Sequence, residues 1–247
     1  MLAQLRFAHL MVFDIETVPA SSNFDELSPR IKDLWEQKKG RFRDENDDPG
    51  EYYFNNAGIL AEFGKVICIS AGIFKCDLSG RVEQLRIKSF YGHDEKEILL
   101  QFSSLLEQYF NNPKKHMLAG HNIREFDVPW LCRRMLIHGL KLPAMLEVSG
   151  AKPWELADRF IDTMQLWRFG DFKHYTSLDL LTELFAIPSP KDQISGKDVG
   201  RVYWQENRIE SIAKYCEKDV LAEARLLMKF KGMELIKDNQ VSSSSFS

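Results

Sequence analysis

Short apolar runs alternate with amphipathic stretches along the chain. Residues 10–14 form an apolar run that ends in an acid, and residues 66–74 form a second run rich in β-branched side chains, so both predict buried strands. Residues 82–90 alternate apolar with charged side chains, which predicts a half-exposed strand paired with 66–74 as a hairpin. Residues 95–109 carry their apolar side chains on one helical face, which predicts an amphipathic helix.

The second half of the chain alternates between strand and helix patterns. We expect strands at residues 116–121 and 160–162, and helices at 128–138, 177–185 and 208–228. Three strands followed by strand–helix units predict an α/β fold, with one mixed sheet and helices on both of its faces. No repeat or linker divides the chain, so residues 1–235 are predicted to form one domain, and the Ser-rich tail 236–247 is predicted to be disordered.

Composition restricts the class of protein without identifying it. The 247 residues include 33 Lys+Arg and 36 Asp+Glu, for a net charge of -3, and this near-neutral balance does not by itself indicate a nucleic-acid binder. The apolar runs are far shorter than the about 20 residues that cross a bilayer, and the N-terminus lacks a signal-peptide pattern. The scattered cysteines form no C-x-x-C pair, so we expect free thiols in a cytoplasmic protein without a membrane partner.

Two pairs of residues place acidic side chains next to segments that are predicted to be buried. Asp14 and Glu16 are two residues apart at the predicted strand end, so their side chains point to the same side of the sheet. Tyr215 and Asp219 are four residues apart and share one face of the last helix, at the border of its apolar stripe. For all of these acids a solvent-exposed position remains the alternative.

A further acid, Asp127, lies between a predicted strand and a predicted helix. An N-cap role is the simplest interpretation of this position. If Asp127 instead joins Asp14, Glu16 and Asp219, the four carboxylates repel one another unless cations bind. Oxygen ligands without a His or Cys companion favour Mg²⁺ or Mn²⁺, and two such ions about 4 Å apart suit displacement at phosphorus.

Three stretches together resemble a known family. Asp14-Ile15-Glu16, Asn122-x3-Phe126-Asp127-x-Pro129 and Tyr215-x3-Asp219 resemble, in order and spacing, the motifs of the DEDD 3'→5' exonucleases of the tyrosine subtype. The chain is similar to the proofreading exonuclease domain of family-B DNA polymerases, which implies a ribonuclease H-like fold. No polymerase domain is evident, so we expect a stand-alone relative. Residues 21–58 form a segment longer than the family pattern needs.

The resemblance implies a role for each motif residue. Asp14 would bridge two Mg²⁺ or Mn²⁺ ions, Glu16 and Asp219 would complete the catalytic one, and Asp127 would hold the second. Tyr215 would orient the attacking water. The candidates for contact with the terminal nucleotide are Thr17, Asn122 and Phe126, although a plain core position is favoured for Phe126. Asp162 is expected to be a structural hydrogen-bonding acid, and His121 to be satisfied near the edge of the site.

The predicted function is therefore metal-dependent 3'→5' hydrolysis of single-stranded DNA. A ribonuclease D-like activity on RNA is the first alternative, and the expected partner is the 3' end of a single strand in either case. The second alternative is a catalytically silent module that binds single strands. The intact set of Asp14, Glu16, Asp127, Tyr215 and Asp219 argues against a silent module.

Overall fold

One mixed sheet runs through the computed structural model, which describes residues 5–171, 173–188 and 194–246. Within these residues the strands are β1 Leu10–Pro19, β2 Gly64–Cys76, β3 Val82–Tyr91, β4 Met117–Gly120, β5 Phe160–Asp162 and β6 Val241–Ser243. Their order across the sheet is β5-β4-β1-β2-β3-β6. β1 is antiparallel to β2 and parallel to β4, and β2 and β3 form the predicted antiparallel hairpin. The mixed sheet confirms the predicted fold class.

Helices cover both faces of this sheet. They are α1 Pro29–Lys38, α2 Pro49–Asn56, α3 Glu95–Tyr109, α4 Asp127–Ile137, α5 Thr163–Arg168, α6 Leu178–Leu184, α7 Val199–Trp204 and α8 Ile209–Phe230. α3 and α4 pack on one face through a core that includes Met11 and Phe13, and α8 packs on the other through a core that includes Leu10 and Val12. In the described part of the chain, no helix has the length and apolar character needed to cross a membrane.

β1 is longer than the sequence predicts, and this changes the setting of the motif acids. The prediction of a strand that ends at Asp14 is wrong, because pairing with β2 continues to Pro19 after a register shift between Glu16 and Thr17. Alternate side chains of a strand point to opposite faces. Asp14 and Glu16 therefore lie within the strand, on the face that α8 covers.

Residues 21–58, the segment that is longer than the family pattern needs, form a helical insertion between β1 and β2. α1 and α2 enclose a small aromatic core in which Trp35 and Tyr53 are fully buried against Phe63. The end of the insertion is held against α4, because the Trp130 indole donates at 3.2 Å to the carbonyl of Ile59, the residue that directly follows the insertion.

The Ser-rich tail is ordered, so the prediction of disorder is wrong for residues 236–246; residue 247 lies outside the described part. β6 pairs in parallel with β3. The hydroxyls of Ser243 (2.9 Å) and Ser245 donate to the carboxylate of Glu217 on α8, and Ser89 donates its backbone N–H to the Ser245 hydroxyl at 2.6 Å. These serines are ordered because their hydroxyls find specific partners on the sheet and on α8.

A buried ion cluster joins α3, α4 and β2. Glu95, at the start of α3, is 6% exposed. Its carboxylate accepts from the Val66 backbone N–H at 2.7 Å, from Arg134 at 2.6 and 2.9 Å, and from His138 at 2.7 Å. This cluster fixes the entry of β2 against the two helices that cover one face of the sheet.

We expect Glu95→Ala to lower the free energy of unfolding by about 3–5 kcal/mol, because it leaves the Arg134 guanidinium buried without a counter-charge. Urea unfolding followed by circular dichroism measures the change. Glu107→Ala, at an exposed position of the same helix, is the control and is expected to change stability by less than about 0.5 kcal/mol. Equal losses in the two variants would contradict a stabilising role for the cluster.

Candidate active site

The acids of the first motif project from β1 beneath α8. Glu16 is 8% exposed and Asp14 is half-buried. The buried Cys216 of α8 donates its thiol hydrogen to Asp14, with the sulfur 3.3 Å from Oδ2 and 3.4 Å from the backbone carbonyl. Ligand atoms of Asp14, Glu16 and Cys216 lie within 4.8 Å of one another. The thiol therefore fixes the Asp14 carboxylate at the contact between strand and helix.

Asp127 reaches the same place from α4. It is 3% exposed, and its Oδ1 accepts from the Ile15 backbone N–H at 3.2 Å, between the two acids of β1. Phe126, not Asp127, occupies the N-cap position of α4, so the N-cap interpretation is wrong. The physical reason is that the Asp127 side chain turns toward β1 instead of capping its own helix. The first turn of a helix is a favourable place for a carboxylate.

Tyr215 and Asp219 complete the cluster from α8. They are one helical turn apart, both are half-buried, and the Tyr215 hydroxyl is hydrogen-bonded to the Asp219 side chain. The structure thus brings together all five residues predicted to be catalytic, from a strand, the start of one helix and the middle of another.

The electrostatics of the cluster are those of crowded, buried acids. Burial raises the pKa of Asp14 and Glu16 well above the usual range, and the neighbouring carboxylates raise both further. Burial likewise raises the pKa of Asp127 to about 7. The pKa of the Tyr215 phenol is raised by burial and then by Asp219, so this hydroxyl stays protonated at neutral pH. A bound cation would relieve the repulsion among these carboxylates.

The predicted substrate-binding residues have different environments. The Thr17 hydroxyl donates to the carbonyl of Gly58 at 2.6 Å, which engages it with the helical insertion. Asn122 has a left-handed backbone (φ 63°), and its buried Oδ1 has no hydrogen-bond partner among the described residues. Phe126 packs against the apolar core beside Trp130, in agreement with the core position favoured for it.

Two neighbouring polar residues behave as the sequence predicts. The Asp162 carboxylate accepts from the backbone N–H groups of Asn122 and Arg124 at 3.0 and 3.1 Å, and it caps α5. His121 donates from Nε2 to the Thr176 carbonyl, and its Nδ1 hydrogen-bonds the Thr163 hydroxyl, both at 2.8 Å. These side chains hold the segment between β4 and α4 in place and are not aimed at an ion.

Sequence reasoning missed two residues of the site. Cys216 lies on the apolar side of α8, and only the structure shows its contact with Asp14. Glu223, four residues after Asp219, is a further buried acid whose Oε1 accepts from the His121 N–H at 2.9 Å. Its spacing from Asp219 was the available signal, since residues four apart share a helix face.

The donor set fits a hard divalent cation. The acids offer carboxylate oxygens, and two more buried oxygens, Asn122 Oδ1 and Glu223 Oε2, have no partner in the described part of the chain. Burial raises the pKa of the Cys216 thiol well above its usual range, and this thiol donates its hydrogen to Asp14. Oxygen donors of this kind suit Mg²⁺ and Mn²⁺.

Comparison with solved structures supports the fold. The family B DNA polymerase from the hyperthermophilic archaeon Pyrobaculum calidifontis aligns with 90% of this chain, with a TM-score of 0.51 and 17% sequence identity. The chain spans only 24% of that polymerase, and at this identity the likeness establishes the fold alone. No curated protein matches the sequence significantly.

Comparison with protein families is more specific. Residues 59–243, well over half of the chain, match the family described as "Predicted 3'-5' exonuclease related to the exonuclease domain of PolB". The matched segment contains Asp127, Tyr215 and Asp219, and it begins after Asp14 and Glu16. The chain therefore belongs to this family of predicted 3'-5' exonucleases related to the exonuclease domain of PolB.

Proposed function

We propose that this protein is a metal-dependent exonuclease that removes nucleotides from the 3' end of single-stranded DNA. The observation that carries the proposal is the convergence of Asp14, Glu16 and Asp127 with Tyr215 and Asp219 in one buried cluster. Four carboxylates at one place are costly without cations. Family membership supplies the reaction class, and the cluster supplies the chemistry that such a reaction needs.

The carboxylates divide naturally between two ions. In this proposal Asp14 would serve both ions, Glu16 and Asp219 would hold one of them, and Asp127 would hold the other. Bound Mg²⁺ or Mn²⁺ would supply Lewis acidity at the phosphate and a lowered pKa for the attacking water. The protein keeps these carboxylates in place through uncharged donors, the Ile15 N–H and the Cys216 thiol.

Tyr215 acts as a hydrogen-bonding group and not as a base. Its raised pKa keeps the phenol protonated at neutral pH, so it cannot take a proton from water. Its hydroxyl is already directed toward Asp219, one of the proposed metal ligands. From this position Tyr215 orients the attacking water against the phosphate.

We assign the substrate contacts from the hydrogen-bonding atoms that each candidate side chain has left unused. Asn122 offers a buried side-chain oxygen that has no partner among the described residues, and we propose that it contacts the terminal nucleotide. The Thr17 hydroxyl donates to Gly58, which leaves its oxygen to accept one bond from the same nucleotide. An enzyme selective for RNA would instead read the 2'-hydroxyl group, and no side chain is assigned to that role.

Asp14→Ala is expected to abolish hydrolysis, because it removes a proposed metal ligand. The fold should stay intact, because removing one of several crowded acids relieves their repulsion. A gel time course on 5'-labelled DNA and RNA of matched sequence, with Mg²⁺, Mn²⁺ or EDTA, measures this. Asp33→Asn, at an exposed position in the helical insertion, is the control and should retain full activity.

The products of this time course decide between the alternatives. Metal-dependent shortening of DNA from its 3' end supports the proposal, and faster shortening of RNA would move the substrate class to RNA. Binding of both strands without cleavage by the wild-type protein would favour a silent binding module. Activity that survives Asp14→Ala would contradict the assignment of the site.

Tyr215→Phe is expected to lower kcat by about 10²-fold with little change in KM, since the ring keeps its place and only the orienting hydroxyl is lost. Steady-state kinetics on a short single-stranded substrate separates the two constants. Tyr109→Phe, on an exposed part of α3, is the matched control and should change neither. A proportionate change in kcat and KM would argue for a substrate-binding role instead.

Metal removal should make stability fall as pH rises. The folded pKa of Asp127 is about 7, above the about 4 of an unfolded Asp, so its protonated form is favoured by folding. Its contribution to stability is present below pH 4 and is lost as pH rises from 4 to 7. In EDTA the free energy of unfolding should therefore decrease through this window, and Mn²⁺ should raise Tm more at pH 8 than at pH 5.

Asp127→Asn is the comparison for this measurement, because the amide can still accept from Ile15. In EDTA this variant should lose part of the pH dependence between pH 4 and 7. A wild-type protein whose Tm does not respond to Mn²⁺ at pH 8 would be inconsistent with a divalent site.

A further inference from the structure

Glu223 is a buried acid that the proposed reaction leaves without a role. It lies on α8 one turn beyond Asp219, so the helical period places it on the same face as Tyr215 and Asp219. The residue is 1% exposed. No ion pair of Glu223 occurs among residues 5–171, 173–188 and 194–246, so its charge is not balanced by a Lys or Arg there.

One oxygen of Glu223 is anchored to the backbone. Oε1 accepts from the N–H of His121 at 2.9 Å, at the start of the turn that leads from β4 to α4. That turn continues into Asn122, with its left-handed backbone, and ends at Asp127. Glu223 therefore helps to set the position of two residues of the site.

The other carboxylate oxygen of Glu223 is buried, and no described residue donates a hydrogen bond to it. Oε2 has no hydrogen-bond partner in the described part of the chain. It lies beside Gly120, where an added Cβ would be 3.4 Å from Oε2 and 2.7 Å from the Phe13 carbonyl, so only glycine leaves this space open. An acceptor held in this way requires a donor, and residues 5–171, 173–188 and 194–246 provide none.

The carboxylates around Glu223 indicate where a hydrogen-bond donor for Oε2 would come from. Burial raises the pKa of its carboxyl well above the usual range, and the carboxylates of Asp14, Asp127 and Asp219 raise it further. Glu223 thus lies in the electric field of the same cluster that would hold the cations. Carboxylates just outside the direct ligands of a metal commonly accept from its bound waters and orient its ligands.

We propose that Glu223 is a positioning residue of the metal centre, with Oε1 fixing the turn between β4 and α4 and Oε2 accepting a hydrogen bond from water on a divalent cation. This inference rests on the proposed function of the cluster as a divalent-ion site. It adds a fifth carboxylate to the four that the sequence motifs supply.

The test compares Mn²⁺ binding by the wild-type protein, Glu223→Gln and Glu223→Ala, measured by calorimetry without nucleic acid. In Glu223→Gln the amide oxygen can still accept from His121, while the amide nitrogen replaces the free acceptor. We expect this variant to keep the wild-type circular dichroism spectrum and to bind Mn²⁺ about 10–100-fold more weakly. Glu223→Ala should show at least the same loss. Glu210→Gln, exposed on the same helix, is the control.

An unchanged Mn²⁺ affinity in folded Glu223→Gln would overturn the inference and leave Glu223 as a structural partner of His121 only. If Glu223→Gln does not fold, Glu223→Asp decides, since it keeps the charge but shortens the reach; weaker Mn²⁺ binding supports the inference and unchanged binding rejects it. A wild-type protein that neither binds Mn²⁺ nor cleaves nucleic acid overturns the proposed function and this inference together. If the wild-type protein binds Mn²⁺ and cleaves nucleic acid, and Glu223→Gln binds Mn²⁺ with unchanged affinity, only this inference is overturned.

Discussion

Mutual repulsion among buried carboxylates is the constraint that the architecture around the site must satisfy. Asp14 and Glu16 come from β1, Asp127 comes from the start of α4, and α8 adds Asp219 and Glu223. The hydrogen bonds described for Asp14, Asp127 and Glu223 come from a thiol or from backbone N–H groups, which are uncharged donors. Such donors orient the carboxylates without neutralising them. The negative charge therefore stays available for a cation from solution.

Close packing of helix on sheet makes this arrangement possible. Gly72 of β2 lies directly under α8, and a Cβ there would be 2.9 Å from a methyl group of Val220. At Gly120 an added Cβ would be 2.7 Å from the Phe13 carbonyl. Because side chains are missing at these two positions, α8 and the turn after β4 approach β1 closely enough for carboxylates from three elements to meet.

The sequence predicts the parts of the molecule that depend on strong local patterns. The helix at Glu95–Tyr109 and the hairpin of β2 and β3 follow from clear periodicities, and the motif spacing identifies the five residues that the structure brings together. The extension of β1 to Pro19 could not be predicted from the local sequence, because it depends on pairing with β2 across a register shift. The order of the serine tail depends on acceptors far away in the sequence, such as Glu217. The roles of Cys216 and Glu223 were hidden for the same reason, since their partners lie on other elements.

The thiol contact between Cys216 and Asp14 joins residues 202 positions apart in the chain. A ribosome-bound chain has therefore made its first acidic motif long before the helix that completes the cluster has emerged. A nascent or partly unfolded chain holds isolated acids on a strand and none of the geometry that hydrolysis requires. Because α8 carries Tyr215 as well as Asp219, fraying of this one helix would remove both at once. Assembly of the acidic cluster is in this way tied to completion of the fold.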